Sequence, residues 1–224
     1  MTSMKVNLYD IATILRKEYW EIKKGTKNII ICFSLVLIMP LVIKLYSERS
    51  IIPINLFFLL IPIFVSLGTS GQISMYTIWE EKKANTIEYL LSTRISKYII
   101  ITGKALLPTI IGYILSLFSL LILIITSYKT FHLYSGEMNL SYFIILFIIT
   151  FMASLITIFI QIYLKGERFT PTFSFIAFSA FILIIWYLHF KLYISVYLII
   201  VLCIIISILL VWLCGISLSK YNFS

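Results

Sequence analysis

Residues 79–104 read WEEKKANTIEYLLSTRISKYIIITGK, the longest polar interruption between two strongly apolar segments of a 224-residue chain. The stretch holds three of the nine acidic residues and five of the eighteen basic ones. Its centre has helix grammar of its own. Asn85 suits an N-cap, and Glu88 can reach back to it as in a capping box. Ile87, Leu90 and Leu91 then share one face at helical spacing. A short amphipathic helix held between two apolar runs suits docking on a partner. The same spacing also fits a charged loop whose leucines tuck against the ends of the neighbouring helices.

Outward from this stretch the chain is mostly apolar. Mean hydropathy is +1.06, 61% of residues are hydrophobic and 12% are charged, against roughly 25% charged in a soluble domain. The apolar residues come in long runs rather than at amphipathic spacing, as membrane-spanning helices do. The expected fold is an all-α membrane protein with both termini inside. Six spans are predicted, at about 29–46, 53–78, 105–128, 141–164, 172–188 and 193–218. A single domain fills residues 1–224, with 79–104 as its main inner polar region and no second, soluble domain.

The net charge of +9 fits this topology better than a nucleic-acid footprint. Fourteen of the eighteen Lys and Arg fall in the inner segments and four in the outer loops, as the positive-inside rule requires. Such an asymmetry also suits anionic lipid at the inner leaflet. Cys32, Cys203 and Cys214 lie in apolar runs without metal-like spacing and read as small core residues. The first apolar run begins at Ile29, is long enough to span and has no small-residue cleavage site, so no cleaved signal peptide is expected.

Residues 7–24, NLYDIATILRKEYWEIKK, make the first element. Leu8, Ile11, Leu15, Tyr19 and Ile22 line one face, and Arg16, Lys17, Glu21, Lys23 and Lys24 point elsewhere. A basic amphipathic helix with Tyr19 and Trp20 just before a span is expected to lie in the membrane interface; the other reading is a helix packed on protein.

Self-contained chemistry finds little support. No charged residue stands at the middle of any expected span, which argues against a proton-coupled carrier or a channel with a charged filter. Tyr113, Ser116, Thr157 and Gln161 remain as candidate pathway residues, although ordinary helix hydrogen bonding accounts for such groups too. Glu80-Glu81 is similar to the glutamate pair of CAAX-type intramembrane proteases, but Asn85 stands where that pattern has Arg, and His132 and His189 fall at the opposite membrane face. Gly103-Lys104 lacks the rest of a Walker A loop. No catalytic residue and no metal ligand is expected in this chain.

Three segments together resemble the permease subunits of ABC-2 type transporters. ILRKEYWEIKK before the first span is similar to the family's amphipathic elbow helix. NTIEYLLSTR, residues 85–94, resembles the family's G-T-L-E-x-L-L-x-T-P signature, with Asn85 for the usual Gly and Arg94 for the usual Pro. ISKYIIITGK, residues 95–104, is similar to the segment ending in Gly-Lys that leads into the third span. The resemblance covers essentially the full length. One departure is the outer turn at 189–192, too short for the re-entrant helices of many relatives.

The resemblance implies a type V-like ABC exporter subunit, multi-pass in a bacterial plasma membrane. A separate ATPase subunit would bind ATP and Mg, this chain holding no cofactor, and a second permease copy or a homologue would complete the pathway. Residues 80–94 would be the coupling helix. Ile87, Leu90 and Leu91 would enter the ATPase cleft and Glu80, Glu81, Lys82 and Lys83 would form its rim, with Asn85, Glu88 and Arg94 framing the helix. The loop KGERFTP, with Lys165, Glu167 and Arg168, would be a second contact. The implied cargo is an amphipathic peptide, an antimicrobial or a lipid-like molecule. A membrane immunity protein that sequesters a toxin without transport is the competing expectation.

Overall fold

The computed structural model describes residues 8–25, seven positions between 30 and 40, and residues 54–84, 86–93, 95–126, 140–163 and 196–219. Among these there is no strand, and six helices follow in order: α1 (Leu8–Lys24), α2 (Ile54–Lys83), α3 (Thr86–Ser92), α4 (Lys97–Thr126), α5 (Leu140–Tyr163) and α6 (Val196–Ser219). The described positions between 30 and 40 are helical as well. The expected span at 172–188 lies outside the described residues. So do Asn85, Arg94, Lys165, Glu167, Arg168 and the side chains of Lys24, Glu88 and Leu91.

Two helices, Lys97–Thr126 and Tyr142–Ile162, are long and apolar enough to cross a membrane, and Val201–Ser217 is a shorter apolar stretch. At 30 residues each, α2 and α4 are about 45 Å long, well beyond the ~30 Å of a bilayer's hydrocarbon core. The polar interruption is therefore shorter in the fold than in the sequence. α2 runs on through Lys83, and α4 starts at Lys97 rather than near residue 105. Glu and Lys are good helix formers, so WEEKK extends a helix already nucleated by the apolar run before it. The Ala84 amide still reaches the Glu80 carbonyl at 2.9 Å. Ser96 stands just before α4 as its N-cap, its carbonyl accepting from the Ile100 amide at 3.0 Å.

α4 is the hub, touching α1, α2, α5 and α6, and its most extensive contact is with α2. Gly112 makes that approach possible. A Cβ there would lie 2.9 Å from the Ser70 Cβ and 3.1 Å from the Ser66 carbonyl oxygen. The small residues of α2 at 66–71 thus serve close helix approach within the chain.

The buried positions mix large aliphatic side chains such as Ile61, Leu146 and Ile158 with small hydroxylic ones. Ser66, Thr69, Ser70, Thr109, Ser116 and Thr150 are all fully buried. Ile110, Ile114, Phe118, Leu121 and Ile125 of α4, spaced to share one face, are exposed, as are Ile204, Ile208 and Trp212 of α6. Exposed apolar faces of this extent mark contact with lipid or with another protein rather than with water.

Candidate functional site

The site builds up from the seam between α1 and the hairpin that α2, α3 and α4 form. Ile14, Glu18 and Ile22 of α1, and Gly25 just after it, are buried. Ile14 packs with Ile99 and Ile100 of α4, and Gly103 lets α1 come close: a Cβ there would lie 2.8 Å from Ile14 Cγ2. One residue on, Lys104 points at Glu18, its Nζ donating to Oε1 at 2.6 Å. Lys104 Nζ is also 2.6 Å from Glu81 Oε2 of α2, an ion pair outside hydrogen-bond geometry. Lys17 of α1 donates to the other Glu81 oxygen and lies 3.4 Å from Glu21 Oε1. Three acids and two lysines from three helices thus form one network, in which Glu18 and Glu81 are 0% and 1% exposed.

This arrangement pins α1 to both arms of the hairpin. Burying charges is costly unless each finds opposite charge and hydrogen bonds, so the pieces are stable chiefly together. Glu18, Glu21 and Glu81 each offer an oxygen within 4.8 Å of the others, close enough to hold a metal ion. The two lysine ammonium groups, however, already occupy the cation positions among them. Burial pushes the Glu21 carboxyl above its usual range, reinforced by Glu18 and opposed by Lys17.

Several sequence expectations change here. Glu81, expected on a polar rim, is buried in the network, whereas Glu80 is half-buried and Lys83 is exposed with its ammonium 5.1 Å over the Trp79 ring. Lys82 turns the other way and donates to the Gln161 carbonyl near the end of α5, where a cation favours the helix dipole. Burial pushes the Lys82 amine down. On α1, Arg16, Tyr19, Trp20 and Lys23 stay exposed, with Lys23 Nζ 5.1 Å over the Trp20 ring. Tyr19 therefore does not belong to the buried face, and Lys17 joins the network instead of the basic outer surface. The helix is rotated from the expected stripe because Glu18 needs Lys104.

The apolar face of α3 also turns inward. Ile87 packs on the cluster that includes Ile78, Ile101, Ile158 and Ile162, and Leu90 packs on Ile14, Ile99 and Ile100. Both line a cavity of about 30 Å³ that reaches Glu81 and Lys104, room for about one water molecule. Ile87 and Leu90, expected to fill a partner's cleft, thus pack in part on the chain's own bundle and keep the rest of their surface exposed. Among the described residues, Lys83, Ala84, Ser92 and Thr93 are exposed around α3.

The candidate pathway residues are scattered by comparison. The Ser116 and Thr157 hydroxyls are buried and donate to carbonyls of their own helices, Tyr113 and Ala153, at 2.7 and 2.9 Å. Tyr113 stands edge-on to Phe147, and Gln161 lies near the end of α5 under Lys82. Comparison with models of protein families, with curated proteins and with solved structures finds no match.

Proposed function

We propose that this chain is the membrane-spanning subunit of an ATP-driven transporter of the ABC-2 kind. It crosses a bacterial plasma membrane six times with both termini inside, and it exports an amphipathic peptide, an antimicrobial or a lipid-like molecule. A separate ATPase subunit binds ATP and Mg, and a second copy or a homologous permease completes the pathway. The observation that carries the reading is the ion-paired joint among Glu18, Glu81 and Lys104. It ties α1 to α2 and α4 near the hairpin tip, so that the three move as one body, as a lever driven from outside the membrane must.

ATP-driven closure of the partner would push on the exposed positions around α3, chiefly Lys83, Ala84 and Thr93. The inward-packed Ile87 and Leu90 then carry that push into α2, α4 and α5 as a rigid unit. The continuous exposed apolar faces of α4 and α6 support lipid as the bundle's surroundings. Exposed Tyr19, Trp20, Arg16 and Lys23 suit the headgroup layer.

The deciding experiment is gentle purification of the tagged chain from its host, with identification of whatever accompanies it. A stoichiometric soluble ATPase supports the transporter. Recovery of the chain alone, under conditions that keep other transporters whole, defeats it in favour of a membrane protein that sequesters a toxin.

A further inference from the structure

We propose that the charge cluster beneath α1 carries one proton, on Glu21, and that loss of this proton loosens α1 from α2 and α4. The inference stands apart from the transporter reading and rests on how the charges are shared. Lys104 sits 2.6 Å from an oxygen of Glu18 and 2.6 Å from an oxygen of Glu81. Lys17 is hydrogen-bonded to Glu81, and its contact with Glu21 is a looser 3.4 Å. Among the described side chains three carboxylates therefore meet two ammonium groups, and both ammonium groups are drawn to Glu81. Glu21 is left with the weakest compensation.

One oxygen of each acid, Oε2 of Glu18, Glu21 and Glu81, is buried without a hydrogen-bond partner, although Glu81 Oε2 has the Lys104 ammonium 2.6 Å away. Glu21 is the acid with a way out to water, its side chain 21% exposed against 0% for Glu18 and 1% for Glu81. It can exchange a proton without the helices parting.

Among the described residues, the groups facing Glu21 are Lys17 and Glu18 from α1, Glu81 from α2 and Lys104 from α4. Tyr76 of α2 adjoins it, with Glu80 beyond. Burial first, then Glu18, raise the Glu21 carboxyl; Lys17 lowers it without cancelling the rise. A carboxyl raised on folding binds its proton more tightly in the folded chain. Its contribution is fully present below the unfolded value and fades as pH climbs through the folded one. Raising the pH through the folded value puts the third negative charge back under α1, where, among the described residues, Lys17 and Lys104 are the cations that face it.

The test uses the full chain in lipid nanodiscs, as wild type and as Glu21→Gln. Infrared titration of the wild type should show a protonated carboxyl absorption that bleaches as pH is raised and is missing from Glu21→Gln. At one and the same pH above that titration, the amides of α1 should exchange hydrogen several-fold faster in the wild type than in the variant. A wild type without such an absorption, an absorption that survives Glu21→Gln, or equal exchange of α1 in the two proteins overturns the proposal. Should Glu21→Gln fail to fold, the wild-type titration decides alone, and a spectrum with no bleaching carboxyl overturns it.

Discussion

Lys104 and Glu18 meet at 2.6 Å across 86 residues of sequence, both buried, and this one contact sets how α1 sits on the rest of the chain. Replacing Lys104 by Met strands Glu18 and half of Glu81 in a place with little water. Removing one partner of a buried pair costs about 3–5 kcal/mol, so Lys104→Met should unfold at markedly lower temperature in detergent. Adding Glu18→Gln should recover part of the loss, because it removes the stranded charge. Thermal unfolding of the single and double variants checks this; a Lys104→Met chain as stable as the parent would show that the network contributes nothing.

Gly103 and Gly112 make different demands, and their alanine variants should separate. At Gly103 a new Cβ meets Ile14 Cγ2 at 2.8 Å, the side chain of a neighbouring helix. At Gly112 it meets the Ser66 carbonyl oxygen at 3.1 Å as well as Ser70 Cβ at 2.9 Å. A side chain can yield where backbone cannot. Overpacking of this kind costs about 1–3 kcal/mol, and Gly112→Ala should sit at the upper end. Ile14→Ala should soften the effect of Gly103→Ala in a double-mutant cycle, while Ser70→Gly should leave most of the Gly112→Ala penalty in place. Strict additivity at Gly103 would contradict the contact.

How much of this was legible beforehand turns on which forces act locally. Long apolar runs announce helices regardless of their neighbours, so the all-helical character and the apolar lengths of α4 and α5 could be read directly. The extent of α2 and α4 could not be read as well, since WEEKK and ISKY are polar and their helicity is inherited from the runs they continue. Glu18 was missed because it stands among charges on an amphipathic helix. The available signal was its place in the series Ile11, Ile14, Glu18, Ile22, where a carboxylate interrupts an otherwise apolar seam. Such a residue needs a cation from elsewhere, and Lys104, at the edge of an apolar run, was the one to try. The inward turn of Ile87 and Leu90 is a tertiary fact: helical spacing shows that they share a face, not what the face meets.

Lys82 gives a third test, since its ammonium reaches the Gln161 carbonyl near the end of α5. Lys82→Met keeps the length of the side chain and loses the donor. A hydrogen bond and a helix-terminal charge are worth about 1 kcal/mol net, partly offset here because the ammonium no longer needs to be buried. A small loss of stability, with faster hydrogen exchange confined to the last turn of α5, is expected. Exchange that rises throughout the bundle, or not at all, would be inconsistent with a local cap.

Partner docking is best tested away from Leu90. Leu90→Asp places a carboxylate against Ile14, Ile99 and Ile100, at a cost of roughly 2–5 kcal/mol to the chain itself, so a lost partner would follow from damage to the bundle. Ala84 and Thr93 are exposed beside α3, and surface substitutions of this kind usually shift stability by within about 0.5 kcal/mol. Ala84→Glu and Thr93→Trp should therefore leave thermal unfolding nearly unchanged while sharply reducing co-purification of the proposed ATPase. Full retention of the ATPase by both, with Leu90→Asp destabilised as expected, would move the contact away from α3. Loss of the ATPase with unchanged unfolding would fix the docking surface on the exposed rim of the hairpin tip, with the apolar face of α3 acting behind it as the connection to the bundle.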